Sequence, residues 1–332
     1  MNISEFAKAA GVSKSAVSRY FNGGYLSDEK RAKIEETIKL TGYAPSNSAH
    51  AVKTRVTKQI GVIIPKLSGE STARVTEGIT EVLNAEGYQS LLANTSNDYN
   101  KEIHFLDLFK QNRVDGVILL ATVFTEMHSR ALAKMRVPVI IVGQNIKGYS
   151  CVCHDDEGAA YALTKLMMEK GVKSPGFIGA NMSDIATGKN RRAGFERAVK
   201  EAGLNLNKAF CEVAKFSIDS GYEKAKQIFS GKTRPDCLFC ATDSIAAGAM
   251  LYCREAGIKI PEDVLIASVG DNRIGQLAYA PLTTAHFHYK TAGISAANML
   301  LTEIKSSNNI PRTLQLDFDI IERKSTMKTE TV

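Results

Sequence analysis

The chain has 332 residues, 44% of them hydrophobic, and a formal net charge of +7 from 42 Lys and Arg against 35 Asp and Glu, which leaves room for more than one folded domain. No apolar run reaches the roughly 18 residues that a membrane span requires. Six cysteines in a chain of this size do not make a disulfide framework, and those at Cys151, Cys153, Cys237 and Cys240 fall in strand-like apolar runs, where buried thiols are expected. Residues 1–8 are too polar for a secretory signal, so the expectation is a cytoplasmic protein.

Residues 3–22 read as two short helices around a glycine turn. Phe6, Ala10, Val17 and Phe21 have the spacing of facing apolar stripes, and Gly11 supplies the turn. Ser13 is placed as N-cap of the second helix. That leaves Lys14, Ser15, Ser18 and Arg19 facing outward near its N-terminus, with donors suited to phosphates and base edges. A third helix starts at the expected cap Ser27, carries Asp28 and Glu29 in its first turn and an Ile34–Ile38 stripe, and stops at Gly42. Tyr43-Ala44-Pro45 breaks the chain, residues 46–53 can then form a further short helix, and residues 54–58 are expected as a polar basic linker. Residues 1–58 hold ten Lys and Arg against five Asp and Glu, leaving only +2 for the rest. Charge concentrated in this way suits a polyanionic partner.

From residue 59 the pattern becomes short apolar strands alternating with helices. Strands are expected at 59–64, 89–93, 114–120 and 137–142, with helices at 71–86 and 100–112. The rhythm restarts with helices at 157–170, 189–202, 218–229 and 245–256, and strands at 174–178, 210–214, 237–241 and 264–268. This is the signature of parallel, doubly wound sheets covered on both faces. Two such units imply two lobes with a cleft at the carboxyl ends of the strands.

The N-terminal segment resembles the headpiece and hinge of the LacI/GalR family of bacterial repressors. The resemblance rests on Ala7, Ala10-Gly11-Val12-Ser13, Val17-Ser18-Arg19, Asn22, Ser27 and Gly42-Tyr43-x-Pro45. It continues through Val114-Asp115-Gly116-Val117-Ile118, Arg191-x-x-Gly194-Phe195, Ala241-Thr242-Asp243-x-x-Ala246-x-Gly248-Ala249 and Pro281-Leu282-Thr283-Thr284. It implies an all-α helix-turn-helix headpiece at 1–45, a hinge at 46–58, and a core of periplasmic-binding-protein type at 59–332. The implied first lobe takes about 59–158 and 289–320, and the second about 159–288 and 321–332. It also implies a homodimer on a near-palindromic operator. Lys14, Ser15 and Arg19 would then face the major groove, with Ser13, Ser18 and Asn22 on phosphates. In the hinge, Ala49 and Val52 would contact DNA, Val52 standing where relatives insert a leucine into the minor groove. The valine is shorter and β-branched, so a shallower wedge is expected. The tail lacks tetramerising heptads.

For a small-molecule effector the resemblance singles out Arg191. Asp243, Asp271 and Asn272 lie at strand ends, Asp243 being placed either for a ligand or as the N-cap of the following helix, and Phe287 can line the cleft; the aromatic that precedes the acidic residue in many relatives is replaced here by Gly270. The chain is most similar to regulators of disaccharide use, of the trehalose and sucrose type, on residues 65–74, 240–244, 268–271 and 289–293. Some of these sense a sugar 6-phosphate, for which Ser71 and Arg74 at a helix start offer a site. A disaccharide or its 6-phosphate that releases the operator is the leading expectation, with a purine-type corepressor as the alternative. A sugar-binding transport protein shares the core but would not need the headpiece. Neither His154-Asp155-Asp156-Glu157 nor His286-x-His288 assembles a metal site by spacing, and no cofactor or catalytic motif stands out, so neither cofactor nor enzyme activity is expected.

Overall fold

A computed structural model describes residues 1–21, 23–43, 56–306 and 310–327, and the chain divides into two compact units, residues 1–58 and 59–332. The first unit holds α1 (Ile3–Ala9), α2 (Lys14–Phe21) and α3 (Asp28–Thr41). Asn2 opens α1: its side-chain oxygen accepts from the N–H groups of Ser4 and Glu5, and Glu5 returns a bond to the Asn2 N–H at 2.9 Å. This reciprocal cap satisfies otherwise orphaned donors and was not read from the sequence. Gly11 turns at φ +63°, and Ser13 Oγ accepts from the Ala16 N–H at 3.2 Å, capping α2 as expected. Ser27 holds the N-cap position of α3, but its hydroxyl makes no capping bond. Asp28 and Glu29 alone answer the dipole there. Gly42 ends α3 at φ +63°, its N–H on the Ile38 carbonyl. Phe6, Val17 and Ile34 are fully buried at the centre, and Tyr43 stacks on Phe6 with ring centroids 4.3 Å apart. Tyr43, expected only to interrupt the chain, therefore also closes the small core.

The second unit contains two six-stranded sheets. The first is built from β1 (Gln59–Ile64), β2 (Gln89–Asn94), β3 (Gly116–Leu120), β4 (Val139–Val142), β5 (Ser150–His154) and β11 (Thr313–Leu316), in the order β11-β5-β4-β3-β1-β2 and all parallel. The second comprises β6 (Pro175–Gly179), β7 (Cys211–Val213), β8 (Cys237–Cys240), β9 (Leu265–Val269), β10 (Thr283–Phe287) and β12 (Phe318–Ile321). Its order is β12-β10-β9-β8-β6-β7, with β12 antiparallel at the edge. The central strands are runs of branched and aromatic side chains buried on both faces, as helices on either side of a parallel sheet require.

In the first lobe, α4 (Glu70–Ala85) and α11 (Tyr289–Lys305) cover one sheet face, and α5 (Tyr99–Gln111) and α6 (Glu126–Leu132) the other. In the second, α7 (Asp156–Glu169) and α8 (Arg191–Glu201) lie opposite α9 (Ile218–Phe229) and α10 (Asp243–Glu255). Glycines set how closely these helices approach. A Cβ on Gly194 would stand 2.1 Å from the Glu157 carbonyl oxygen, and one on Gly248 2.0 Å from that of Ile218. Both motif glycines thus serve helix packing.

Two expectations need correction. The helix expected at 189–202 begins as a π-helical segment, Ile185–Asn190, and becomes α-helical only at Arg191. The first lobe does not extend to residue 320, because β12 pairs with β10 of the second sheet. The chain changes lobe after β5, after β10 and between β11 and β12.

Candidate functional site

Each unit presents its own surface. In the headpiece, Ala16 and Val17 turn α2 inward, leaving Ser13, Lys14, Ser15 and Arg19 exposed and Ser18 half-buried. Ser13 Oγ and Ser15 Oγ lie 2.9 Å apart. Among the described residues no ion pair engages Lys14 or Arg19, so both cations are available to an anionic partner. Asn22 and the expected hinge helix at 46–53, with Ala49 and Val52, lie outside the described residues.

In the core, a cavity of about 280 Å³ opens where strands of both sheets end. Pro65 and Lys66 follow β1, Thr122 follows β3, Gln144 follows β4, Thr242 follows β8 and Asn272 follows β9, and all line it. That is where the open-sheet rule puts a ligand. Of the residues singled out from sequence, Ser71, Arg191, Asn272 and Phe287 line this space.

Arg191 is buried, its Nε donating to Asp156 Oδ1 at 2.7 Å and its Nη1 to the Ala241 carbonyl. Burial pushes the Asp156 carboxyl up, and the guanidinium opposite holds back part of that rise. The Arg191 guanidinium carbon lies 5.3 Å from the Phe287 ring centroid, and Phe287 in turn stacks on His154 at 4.4 Å with an interplanar angle of 5°.

Three candidates do not line the cavity. Asp243 is wholly buried and accepts from Ser268 Oγ, from Thr284 Oγ1 at 3.1 Å and from the Asn272 N–H. It fixes the loop that carries Asn272, and Thr242 rather than Asp243 caps α10. Asp271, at φ +53°, spends one oxygen on Arg323 (2.6 Å) and the other on His286 (2.9 Å). Those hydrogen bonds hold its carboxyl below the ordinary range against the upward push of burial. Arg74 pairs with Glu70 at 2.6 Å and donates to the Asp271 carbonyl at 3.3 Å. The expected phosphate cation is thus committed to a link between the lobes.

Further links join the lobes around the cavity. Lys66 Nζ donates to the Phe216 carbonyl at 3.0 Å, and the Arg273 N–H donates to Glu70 Oε2 at 2.9 Å. The lining carries the carboxylates of Glu70, Asp156 and Asp184, the first paired with Arg74 and the second with Arg191, and the cations Lys66 and Arg191, both engaged within the protein. Sequence reasoning missed His154, Gln144, Asp156 and Asp184. For Gln144 the signal was its place just beyond a strand end; Asp184 follows no such landmark.

A family model described as "Bacterial regulatory proteins, lacI family" matches residues 2–46, and one described as "Periplasmic binding protein-like domain" matches residues 164–326. The sucrose operon repressor of Staphylococcus xylosus is 31% identical over 301 residues, which is 90% of this chain and 92% of that protein. The HTH-type transcriptional repressor PurR of Erwinia tasmaniensis is 30% identical over 329 residues, 97% of this chain and 96% of that protein. The structure of the Lac repressor dimer bound to operator and the anti-inducer ONPF covers 99% of both chains with a TM-score of 0.86 and 18% identity, a likeness of fold. A headpiece with an open basic helix face, a two-lobed core around a cavity and these relatives agree: the chain belongs to the lacI family of bacterial regulatory proteins and is a DNA-binding transcriptional repressor.

Proposed function

We propose that the protein acts as a homodimer on a near-palindromic operator and that an uncharged sugar, of disaccharide type, fills the interlobe cavity and releases the DNA. In this reading Lys14, Ser15 and Arg19 contact base edges, while Ser13, Ser18 and Asn22 contact phosphates. Ala49 and Val52 act in the hinge, and the action is binding in the cytoplasm rather than turnover. The carrying observation is the chemistry of the lining: the hydroxyls and amides at the strand ends suit a polyol, and the cation expected for a phosphate, Arg74, is already spent on Glu70 and the Asp271 carbonyl. Among the described residues no helix is long and apolar enough to cross a membrane. The runner-up is a purine corepressor, because PurR proteins stand beside the sucrose operon repressor among the relatives at about the same identity.

The test has two stages. Selection of bound sequences from a random duplex pool should enrich a near-palindrome. Fluorescence anisotropy on that sequence, with sucrose, trehalose, cellobiose, their 6-phosphates, hypoxanthine and guanine, should then show release by an uncharged sugar alone. Tighter binding with a purine would instead establish the corepressor reading.

A further inference from the structure

The three passages of the chain between the lobes lie side by side. β5 and β11 pair as they leave the first sheet, the Asp155 N–H donating to the Leu316 carbonyl at 3.1 Å, and β10 and β12 pair in the second, with Phe287 opposite Phe318. A rotation of one lobe on the other must turn about these passages. His154 closes β5, and its ring lies flat on that of Phe287, the last residue of β10, at 4.4 Å and 5°. Tyr289 meets the same ring edge-on at 5.3 Å. The stack thus joins a residue of the first sheet to one of the second. Two rings parallel to within 5° allow only one angle between the strands that carry them.

The surroundings of this imidazole refuse a proton. Arg191 at the start of α8, His288 just past β10 and His286 within it all bear on it with positive charge or the capacity for it. The carboxylates nearby are engaged elsewhere: Asp155 caps the Gly158 N–H at 2.9 Å, and Asp156 holds Arg191 at 2.7 Å. Asp271 takes Arg323 at 2.6 Å and His286 at 2.9 Å, and Asp319 stands 3.4 Å from His288. One ring nitrogen of His154 bonds the His288 backbone, while Nε2 is buried and has no hydrogen-bond partner among the described residues. Burial first, and Arg191 second, push the pKa down to about 4 from an ordinary 6.5, so the stacked ring is neutral near pH 7.

We propose that this stack makes the angle between the lobes sensitive to acid: His154 refuses a proton while it lies between Phe287 and Arg191, and accepts one when the lobes turn and the ring meets water. Protons then select the turned arrangement. With the stacked value near 4 and the solvated value at 6.5, the stacked arrangement is undisturbed above pH 6.5. It loses ground by up to tenfold per pH unit below that, and the effect levels off near pH 4. The pairs His286–Asp271 and His288–Asp319 are built on β9, β10 and β12 of the second sheet and their ends, so a lobe rotation leaves them intact. The linkage holds whatever the effector is: any molecule that requires the present lobe angle must displace the proton, and binds more weakly in acid.

The test uses the full-length chain without ligand. The sequence contains no tryptophan, so Phe216→Trp gives a single fluorescent reporter where Lys66 of the first lobe reaches the residue 216 carbonyl at 3.0 Å. Its emission maximum is followed from neutral pH down to about pH 4.5, over the range in which far-ultraviolet circular dichroism stays native. The comparison is with the same reporter in His154→Phe, which keeps a ring on Phe287 and removes the titrating nitrogen; His154→Gln replaces it if the phenylalanine variant fails to fold. A red shift that starts below pH 6.5 with His154, and is missing without it, is the expected result. In parallel, the chain without the reporter is titrated with 13C-labelled histidine. The resonance lost in His154→Phe or His154→Gln should titrate below the ordinary 6.5. An equal red shift in both backgrounds, no red shift in either, or a His154 resonance that titrates at the ordinary value each overturns the proposal.

Discussion

Gln144 reaches across the cavity to Asp184: its Nε2 donates to Asp184 Oδ1 at 2.9 Å, while its Oε1 accepts from the Ala186 N–H at 3.3 Å. One amide group therefore satisfies the end of the π-helical segment from the opposite lobe. Burial pushes the Asp184 carboxyl up, and the Gln144 and Thr187 bonds work against that push.

Removing the amide should weaken the link without disturbing either sheet. Gln144→Ala is expected to cost about 1–3 kcal/mol, the penalty of leaving a buried acceptor short of a partner. The loss should appear in effector affinity by calorimetry more than in the unfolding midpoint. Equal losses in both would mean that the bond stabilises the lobes individually.

Arg191 and Asp156 form a buried pair with side chains only 6% and 5% exposed. Arg191→Met strands the carboxylate and should cost about 3–5 kcal/mol in chemical denaturation, whereas Arg191→Met combined with Asp156→Leu should recover most of it. A double variant no more stable than the single one would show that the guanidinium acts mainly through the Ala241 carbonyl.

On the headpiece, Arg19→Ala should cost about 1–3 kcal/mol on the selected operator and relax preference at one base pair, as loss of a base-edge contact does. Lys14→Ala should do the same at a neighbouring position. A uniform loss on operator and random duplex, with a shallower salt dependence, would reassign the altered residue to a phosphate.

Acid should act through His154. Its folded pKa is lowered to about 4 from an ordinary 6.5, first by burial and then by the charge of Arg191. Below pH 6.5 the unfolded chain gains a proton there that the folded chain refuses. The group's contribution is thus complete above pH 6.5 and declines by about 1.4 kcal/mol per pH unit down to about pH 4. His154→Gln should lose less stability than wild type between pH 7 and pH 5; parallel loss in both proteins would show that other groups control that range.

The parts of this structure legible in sequence are those where one physical signal has one meaning. The run Gln59–Ile64 could only be a buried strand, and Gly11, Ser13 and Gly42 mark turn and caps by stereochemistry. Strands β11 and β12 were not read because they are partly exposed edge strands without an apolar run. Asp243 misled because an aspartate at a strand end looks the same whether it meets a ligand or a ring of hydroxyls. Ser268 and Thr284 lie 25 and 41 residues away in sequence, so only the fold brings that ring together. His154 was weighed as a metal ligand with its sequence neighbours, whereas its partners are Phe287 and Tyr289, more than a hundred positions further on.

The late return of the chain, which lays β11 on one sheet and β12 on the other, has a consequence for genetic damage. A reading frame stopped near Ile310 would spare every residue lining the cavity yet strip an edge strand from both lobes at once. The product would expose the unpaired flanks of β5 and β10, open templates for pairing with another chain. A terminal nonsense mutation should therefore yield aggregates rather than a repressor that merely ignores its signal.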